Sequence, residues 1–253
     1  MDGKMVKIIL SGANGKMGKV IANCVSLRDD CEIIAGIDLN TDVYDAFPIF
    51  SNIEQCDLKA DVIIDFSHPS VIEGLLNYSI RTQTPIVVST TGYTDEQIAM
   101  IKKASEKVAV FFSFNMSLGV NLLVELVKKA TEILGEQFDI EVIEKHHNQK
   151  IDAPSGTAIM IANGINEASN NKYQYIYDRH STRKKRSKNE IGMHTIRGGT
   201  IVGEHEVVFA GRDEILTLTH QATSKDIFAV GAVKAGVFLK GKGAGLYDMS
   251  MLI

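Results

Sequence analysis

The sequence predicts an α/β protein: a doubly wound parallel sheet with an inserted α+β domain built on a mixed sheet. Three observations predict it. Up to Asn115, short apolar runs alternate with helical spacings. The first of these runs ends in a glycine-rich turn. Beyond residue 190, three strand-like segments follow one another with only turns between them.

The elements can be justified in order. "KMVKIILSG" is an apolar run ending at Gly12, as expected of a strand buried on both faces. "KMGKVIANCVSL" places Met17, Val20, Ile21, Cys24 and Val25 at helical spacing, and "CEIIAGID" is a second buried run; together they make a βαβ unit of about 30 residues. "ADVIIDFS" is a third strand, and Pro69 and Ser70 open a helix running through Arg81. "TPIVVSTTG" is a fourth strand, a helix starts at Asp95, and "VAVFFSFN" is a fifth strand. After Asn115 the rhythm changes. "SLGVNLLVELVKKATEIL" is a long amphipathic helix and "FDIEVIEKHH" a strand. Residues 173–190 are polar and basic, and the run Arg183, Lys184, Lys185, Arg186 and Lys188 reads by default as a solvated loop, the alternative being a role in attracting an anionic substrate. "IGMHTIRGG", "IVGEHEVVFAG" and "DEILTLTHQA" then suggest an antiparallel or mixed sheet. The apolar helix "KDIFAVGAVKAGVFLKG" can pack back on the first sheet. The expected division is a dinucleotide-binding domain from 1–117 plus 226–253, and a substrate-binding and oligomerisation domain from 118–225.

Composition excludes several classes. The chain has 253 residues, 45% hydrophobic and 23% charged, with a net charge of −4, so nothing global points to nucleic acid or to a membrane surface. No apolar run reaches the roughly 18 residues of a membrane helix, and the N-terminus has no leader-like pattern. Cys24, Cys31 and Cys56 form no C-x-x-C pair and read as reduced packing residues of a cytoplasmic protein.

"GANGKMG" (Gly12, Ala13, Asn14, Gly15, Lys16, Met17, Gly18) lies between the first strand and first helix. It is G-x-x-G-x-x-G, with Asn14 at the usual middle glycine. Backbone N–H groups and the helix dipole there favour a pyrophosphate. Asp38 ends the second strand 20 residues past Gly18, where a carboxylate can accept ribose hydroxyls. Together they imply a Rossmann-like site for a dinucleotide, NADH and/or NADPH. "STTG" (Ser89, Thr90, Thr91, Gly92) and "FNMS" (Phe114 to Ser117) end later strands, at the edge where open sheets hold ligands.

"EKHHNQKIDAPSGTA" (Glu144 to Ala158) combines two histidines, a lysine and a turn that can open a helix. A zinc site lacks a nearby third ligand, and H-E-x-x-H is absent. Pro154 favours a helix start, with Ser155 or Thr157 as its cap, so that the N–H groups of Ser155, Gly156 and Thr157 make an anion site. Lys150 adds a full charge, beside an imidazole able to donate a proton near neutral pH. An anionic substrate next to a nicotinamide suggests hydride transfer with protonation.

This segment closely resembles the signature of the 4-hydroxy-tetrahydrodipicolinate (dihydrodipicolinate) reductases of lysine and diaminopimelate biosynthesis. "GANGKMG", "DFSHPS", "STTGY", "FNMSLGVN", "IRGGTIVGEHEVVFAG", "LTHQATSKDIFAVGAVKA" and "GLYDM" resemble further blocks of that family, in order, over nearly the whole chain. The resemblance implies a cyclic dicarboxylate substrate that loses a hydroxyl as water and gains a hydride. It implies His146 as proton donor and Lys150 as a catalytic, substrate-binding lysine. His147, Ser155, Gly156, Thr157 and Thr91 are the implied substrate contacts. Gly12 to Met17, Asp38, Phe66, Ser89 to Thr91, Ser113, Phe114, Asn115 and Met116 are the implied cofactor contacts. No metal is implied, and a homotetramer is. Two positions depart from the pattern: Ser89 stands where glycine is frequent, and Phe114 where small residues or proline are.

Two other readings fit less well. A short-chain dehydrogenase needs Tyr-x-x-x-Lys, and no tyrosine here has a lysine four residues on. A dinucleotide-sensing module that is not an enzyme leaves His146, His147 and Lys150 without a task.

Overall fold

In the computed structural model, which describes residues 5–253, the apolar runs of the N-terminal half are strands buried on both faces. β1 (Val6–Ser11) and β4 (Val62–Asp65) are central; Ile8, Ile9, Leu10, Ile63 and Ile64 have no exposed surface. Beside them stand β2 (Cys31–Ile37), β3 (Ile49–Phe50), β5 (Ile86–Val88), β6 (Ala109–Phe112) and β12 (Gly245–Tyr247). Among the described residues the order is β12-β6-β5-β4-β1-β2-β3, with every neighbouring pair parallel. The chain winds outward in both directions from β1, so a switch point lies between β1 and β4, where open sheets bind ligands. α1 (Lys16–Ser26) and α6 (Asp226–Leu239) cover one face. α2 (Ile72–Thr82) and α3 (Asp95–Ala104) cover the other. Polar faces are therefore not needed on these strands.

Some details differ from the sequence reading. Pro69–Val71 is a 3₁₀ turn capped by the His68 side chain, and α2 begins only at Ile72. β3 and β12 are two and three residues long, too short for any periodicity to reveal. In α6 a Cβ at Gly231 would stand 1.7 Å from the carbonyl oxygen of Met116, so that close approach admits only glycine.

The chain divides into two compact units. One runs to Leu118 and resumes at Asp226; the other is Gly119–Lys225. The second unit holds α4 (Leu118–Leu134, all but its first residue), β7 (Asp139–His146), α5 (Gly156–Ala168), β8 (Gln174–Ile176), β9 (Glu190–Arg197), β10 (Gly203–Ala210) and β11 (Ile215–Ala222). Its strand order is β11-β10-β7-β9-β8. β7 is parallel to β9 and antiparallel to β10, so the sheet is mixed, and β7 separates two strands that follow each other in sequence. Strand alternation puts Ile140, Val142, Ile191, Met193, Val207 and Phe209 on one face, packed against Leu123, Val124 and Val127 of α4 and Ile161, Ala162 and Ile165 of α5.

The basic run is not simply a solvated loop. Arg186 donates from Nε to Glu141 and from Nη1 to Asp139, both at 2.9 Å, and from Nη2 to the carbonyls of Ile140 and Glu190. It staples the loop to the start of β7, roughly 23 Å along the strand from His146 at 3.3 Å per residue. No described helix is long and apolar enough to cross a membrane.

Candidate functional site

The first cluster of expected site residues lies at the carboxyl edge of the seven-stranded sheet. Gly12 adopts φ +82°, and a Cβ there would meet the carbonyl oxygen of Phe66 at 2.4 Å. A Cβ on Gly18 would stand 2.1 Å from the oxygen of Gly12. The turn is thus a cradle in which side chains are excluded at both ends, opening on the N-terminus of α1, whose cap is Gly15. Asp38 follows β2 directly. Its carboxylate accepts the N–H of Asn14 at 2.9 Å and that of Asn40 at 3.1 Å, which fixes it beside the loop. These features fit a dinucleotide: a backbone surface for phosphates with an acidic group next to it.

The remaining residues of this cluster divide by exposure. Phe66 and Ser113 are half-buried, and Thr91 is exposed. Phe114 is 65% exposed and rests edge-on against Phe112, with ring centroids 4.9 Å apart. The Met116 side chain is in the core, leaving only its backbone for a ligand. Asn115 is buried, and its side chain accepts the N–H of Ser117. Ser89 is buried, and its hydroxyl has no hydrogen-bond partner among the described residues. The Thr90 hydroxyl donates to Asp65 at 2.7 Å, so it faces the protein interior.

The second cluster forms where the apolar face of the five-stranded sheet turns polar. Glu144 and His146 share the strand parity of Ile140 and Val142, so both point inward. Glu144 is fully buried. It receives two hydrogen bonds from Arg197, each 2.8 Å, a third from the Ser155 N–H at 3.0 Å, and a fourth from Thr195 at 3.2 Å. Nδ1 of His146 lies 2.6 Å from its Oε2. Burial pushes the Glu144 carboxyl up, but the bonds from Arg197, His146 and Ser155 outweigh it and hold the group below the ordinary carboxylate range. A carboxylate only accepts, so His146 carries its proton on Nδ1 and presents Nε2 outward. Nε2 lies over Gly203: an added Cβ would be 3.1 Å away.

Cross-strand pairing puts Thr195, Glu144, His205 and His220 in one row. His205 is 4% exposed, and its Nε2 lies 3.0 Å from the Ser155 hydroxyl, with its ring edge-on to His146 at 5.2 Å. Burial, then repulsion from His146, lowers its pKa to about 4. It therefore stays neutral at pH 7.

Of the two expected caps, Ser155 serves: its Oγ accepts the Ala158 N–H at 3.1 Å. Pro154 precedes the cap and is not the first helical residue, because Glu144 draws Ser155 inward. Gly156 is exposed, and a Cβ there would meet no atom within 4 Å, so the space before the helix end is open. Half-buried His147 and Lys150 belong to the turn after β7, and Lys150 Nζ pairs with Asp152 at 2.8 Å. The row is thus a buried carboxylate hub that holds an imidazole and the start of a helix, and the turn bearing Lys150 follows its strand directly. Such a set can bind an anion and pass it a proton.

Glu144, Arg197, His205, Gly203 and Asp65 were not among the expected site residues. A signal existed for three. Glu144 and His205 fall on the inward parity of otherwise apolar strands, and Asp65 ends the apolar run "VIID". Arg197 and Gly203 carried none.

The family model described as dihydrodipicolinate reductase, N-terminus, matches residues 6–116, and that of the C-terminus matches 119–253. A 4-hydroxy-tetrahydrodipicolinate reductase of Clostridium novyi is 49% identical, over 98% of both chains. Another from Caldanaerobacter subterraneus subsp. tengcongensis is 47% identical, again over 98% of both. A dipicolinate-bound dihydrodipicolinate reductase from Paenisporosarcina sp. TG-14 superposes with a TM-score of 0.81 at 25% identity, covering 97% of this chain and 98% of that one. A probable dehydrogenase from Thermotoga maritima shares the fold alone, with a TM-score of 0.61 at 12% identity over 96% of this chain and 91% of that one.

Proposed function

The chain belongs to the dihydrodipicolinate reductase family, and from that premise we propose how its own residues carry out the family's reaction. It is a nicotinamide-dependent oxidoreductase of lysine and diaminopimelate biosynthesis that reduces 4-hydroxy-tetrahydrodipicolinate to tetrahydrodipicolinate. The reaction takes up one hydride and one proton and releases the C4 hydroxyl as water. A nicotinamide cofactor, when bound, would supply the hydride; Gly12 to Met17, Asp38, Phe66, Ser89 to Thr91 and Ser113 to Met116 would hold it.

The observation that carries the assignment of roles is the Glu144 hub. It orients His146 so that, when both ring nitrogens carry protons, Nε2–H donates one while Nδ1–H stays on Glu144, and it draws Ser155 inward so that the N–H groups of Gly156 and Thr157 receive a carboxylate. Lys150 supplies positive charge to the dicarboxylate and to the developing negative charge of the transition state. His147 and Thr91 complete the substrate contacts. Residues 1–117 with 226–253 bind the cofactor, and 118–225 bind substrate.

NADH is used at least as well as NADPH, because the Asp38 carboxylate repels a 2′-phosphate and Leu39 and Asn40 after it bring no cation. The chain works as a homotetramer. The sheet face opposite α4 and α5 carries Ile143, Ile196, Val208 and Ile215, and association buries it. The free thiols Cys24, Cys31 and Cys56 suit the reducing cytoplasm.

The test mixes the folded protein with NADH and the freshly formed condensation product of aspartate semialdehyde and pyruvate. Absorbance at the nicotinamide band should fall, and pyridine-2,6-dicarboxylate should inhibit much more strongly than pyridine-2-carboxylate. A folded protein that consumes no NADH overturns the reaction; equal inhibition by the two acids overturns the two-carboxylate site.

A further inference from the structure

Asp65 is the last residue of β4 and has no exposed surface, although it ends a strand whose other residues are Val62, Ile63 and Ile64. A buried carboxylate in a parallel sheet is unfavourable unless its oxygens are filled, and an apolar residue would pack there without that cost. Here hydroxyls fill them. Ser67 donates to Oδ1; Thr90 donates to Oδ2 at 2.7 Å and Tyr93 at 3.3 Å. Ser11, opposite in register on β1, adds another bond. Burial pushes the carboxyl up; the hydroxyl bonds offset this only in part, and the net shift is upward.

The partners come from three separate strand ends. Thr90 is shared: while donating to Asp65, its hydroxyl accepts the N–H of Ser67 at 2.9 Å. The Asp65 carbonyl in turn accepts the N–H of Ser89 at 3.0 Å. The turns after β4 and β5 are therefore tied to one carboxylate and, through Thr90, to each other. These are the turns that carry Phe66 and Ser89 to Thr91.

We propose that Asp65 is a positioning residue for the nicotinamide cofactor, setting the two turns after β4 and β5 through the Thr90 hydroxyl. The proposal rests on the reading of this edge as the cofactor site. It predicts that loosening the clasp weakens the cofactor selectively, whereas a residue needed only for folding would affect both ligands and stability together.

The experiment uses Asp65→Asn, Asp65→Ala and Thr90→Val, the last nearly conserving volume while deleting the shared hydroxyl. NADH binding is read by nicotinamide fluorescence, pyridine-2,6-dicarboxylate binding at saturating NADH by calorimetry, and folding by circular dichroism. The expected result for folded Thr90→Val and Asp65→Asn is an NADH Kd raised about 10- to 150-fold, the range for losing a charge-assisted bond. The dicarboxylate Kd should stay within about twofold, and KM for NADH should rise more than kcat falls. NADH binding equal to the parent's in Asp65→Asn overturns the proposal whatever Thr90→Val shows, because Thr90 is itself among the proposed cofactor contacts; equal weakening of both ligands overturns it too. If Asp65→Ala fails to fold, the other two variants still decide. A parent protein that does not bind NADH sinks the cofactor reading itself, a different failure from variants that bind it normally.

Discussion

Glu144 accepts the Nδ1–H of His146 at 2.6 Å from two residues earlier on the same strand face. The bond sets which nitrogen of the imidazole meets a ligand. With Nδ1–H committed to a carboxylate, Nε2 is the exchangeable position, and it stands above the bare Cα of Gly203. An imidazole so held is restricted in rotation and tautomer, as a general acid must be.

Gly203→Ala tests that placement. Its φ is not positive, so the backbone accepts alanine, but the new methyl would press on Nε2 from 3.1 Å. Turnover is expected to fall roughly 10- to 100-fold by misplacing the imidazole, with NADH affinity unchanged. A kcat equal to the parent's would show that Nε2 is not the reacting position.

His146→Gln should lower turnover about 10²–10³-fold, the scale for losing a general acid. Lys150→Ala should cost at least as much, because charge beside the reacting centre is lost. His147→Gln should mainly raise KM. Steady-state kinetics on the three purified proteins separates these cases; parental turnover in a folded Lys150→Ala protein ends the proposed mechanism.

In the proposed cofactor site, coenzyme choice turns on Asp38. Its carboxylate is anchored by Asn14 and Asn40, so it cannot swing away from a 2′-phosphate without giving up two hydrogen bonds. Lys16, exposed at the start of α1, is the cation of the phosphate loop. Lys16→Ala should therefore weaken NADPH more than NADH when kcat/KM is compared at fixed ionic strength. A parental preference for NADPH above about tenfold, some 1.4 kcal/mol, would contradict the ribose role of Asp38.

Stability should fall with acid in two windows. Burial lowers the pKa of His205 to about 4 in the folded protein, from the 6.5 of an unperturbed imidazole. The unfolded chain thus binds the extra proton first, and stability is lost as pH falls from about 6.5 towards 4, by on the order of 3 kcal/mol. Glu144 is depressed, so its contribution is complete above the ordinary glutamate value and disappears only at lower pH, as the folded carboxylate is protonated. Urea unfolding at pH 7, 5.5 and 4.5 should show the first loss in the parent and a flatter profile in His205→Gln. The groups facing His205 are Glu144, His146, His220, Ser155 and Lys150. Matching profiles in the two proteins would mean that His205 is not held neutral by burial.

Much of the protein was legible in the sequence because its signals are local. Period-2 and period-3.6 apolar patterns depend on neighbouring residues alone, and they marked the longer strands and the helices of the first sheet, though not β3 or β12, and left the second sheet antiparallel or mixed. The loop Gly12–Gly18 and the segment Glu144–Ala158 were legible because the chemistry they offer is written in consecutive residues. Tertiary structure decided what depends on residues far apart. β7 separates β9 from β10, so that Glu144 meets Arg197, 53 positions away, as well as Thr195 and His205. The same pairing made Arg186 a staple at the far end of β7, although the sequence shows only a basic run. Asp65 reads as a strand end until Ser67, Thr90 and Tyr93 close around it. The physical reason is common to all three: a buried charge is tolerated only where several donors or acceptors converge, and that convergence is set by strand pairing and burial, not by spacing along the chain.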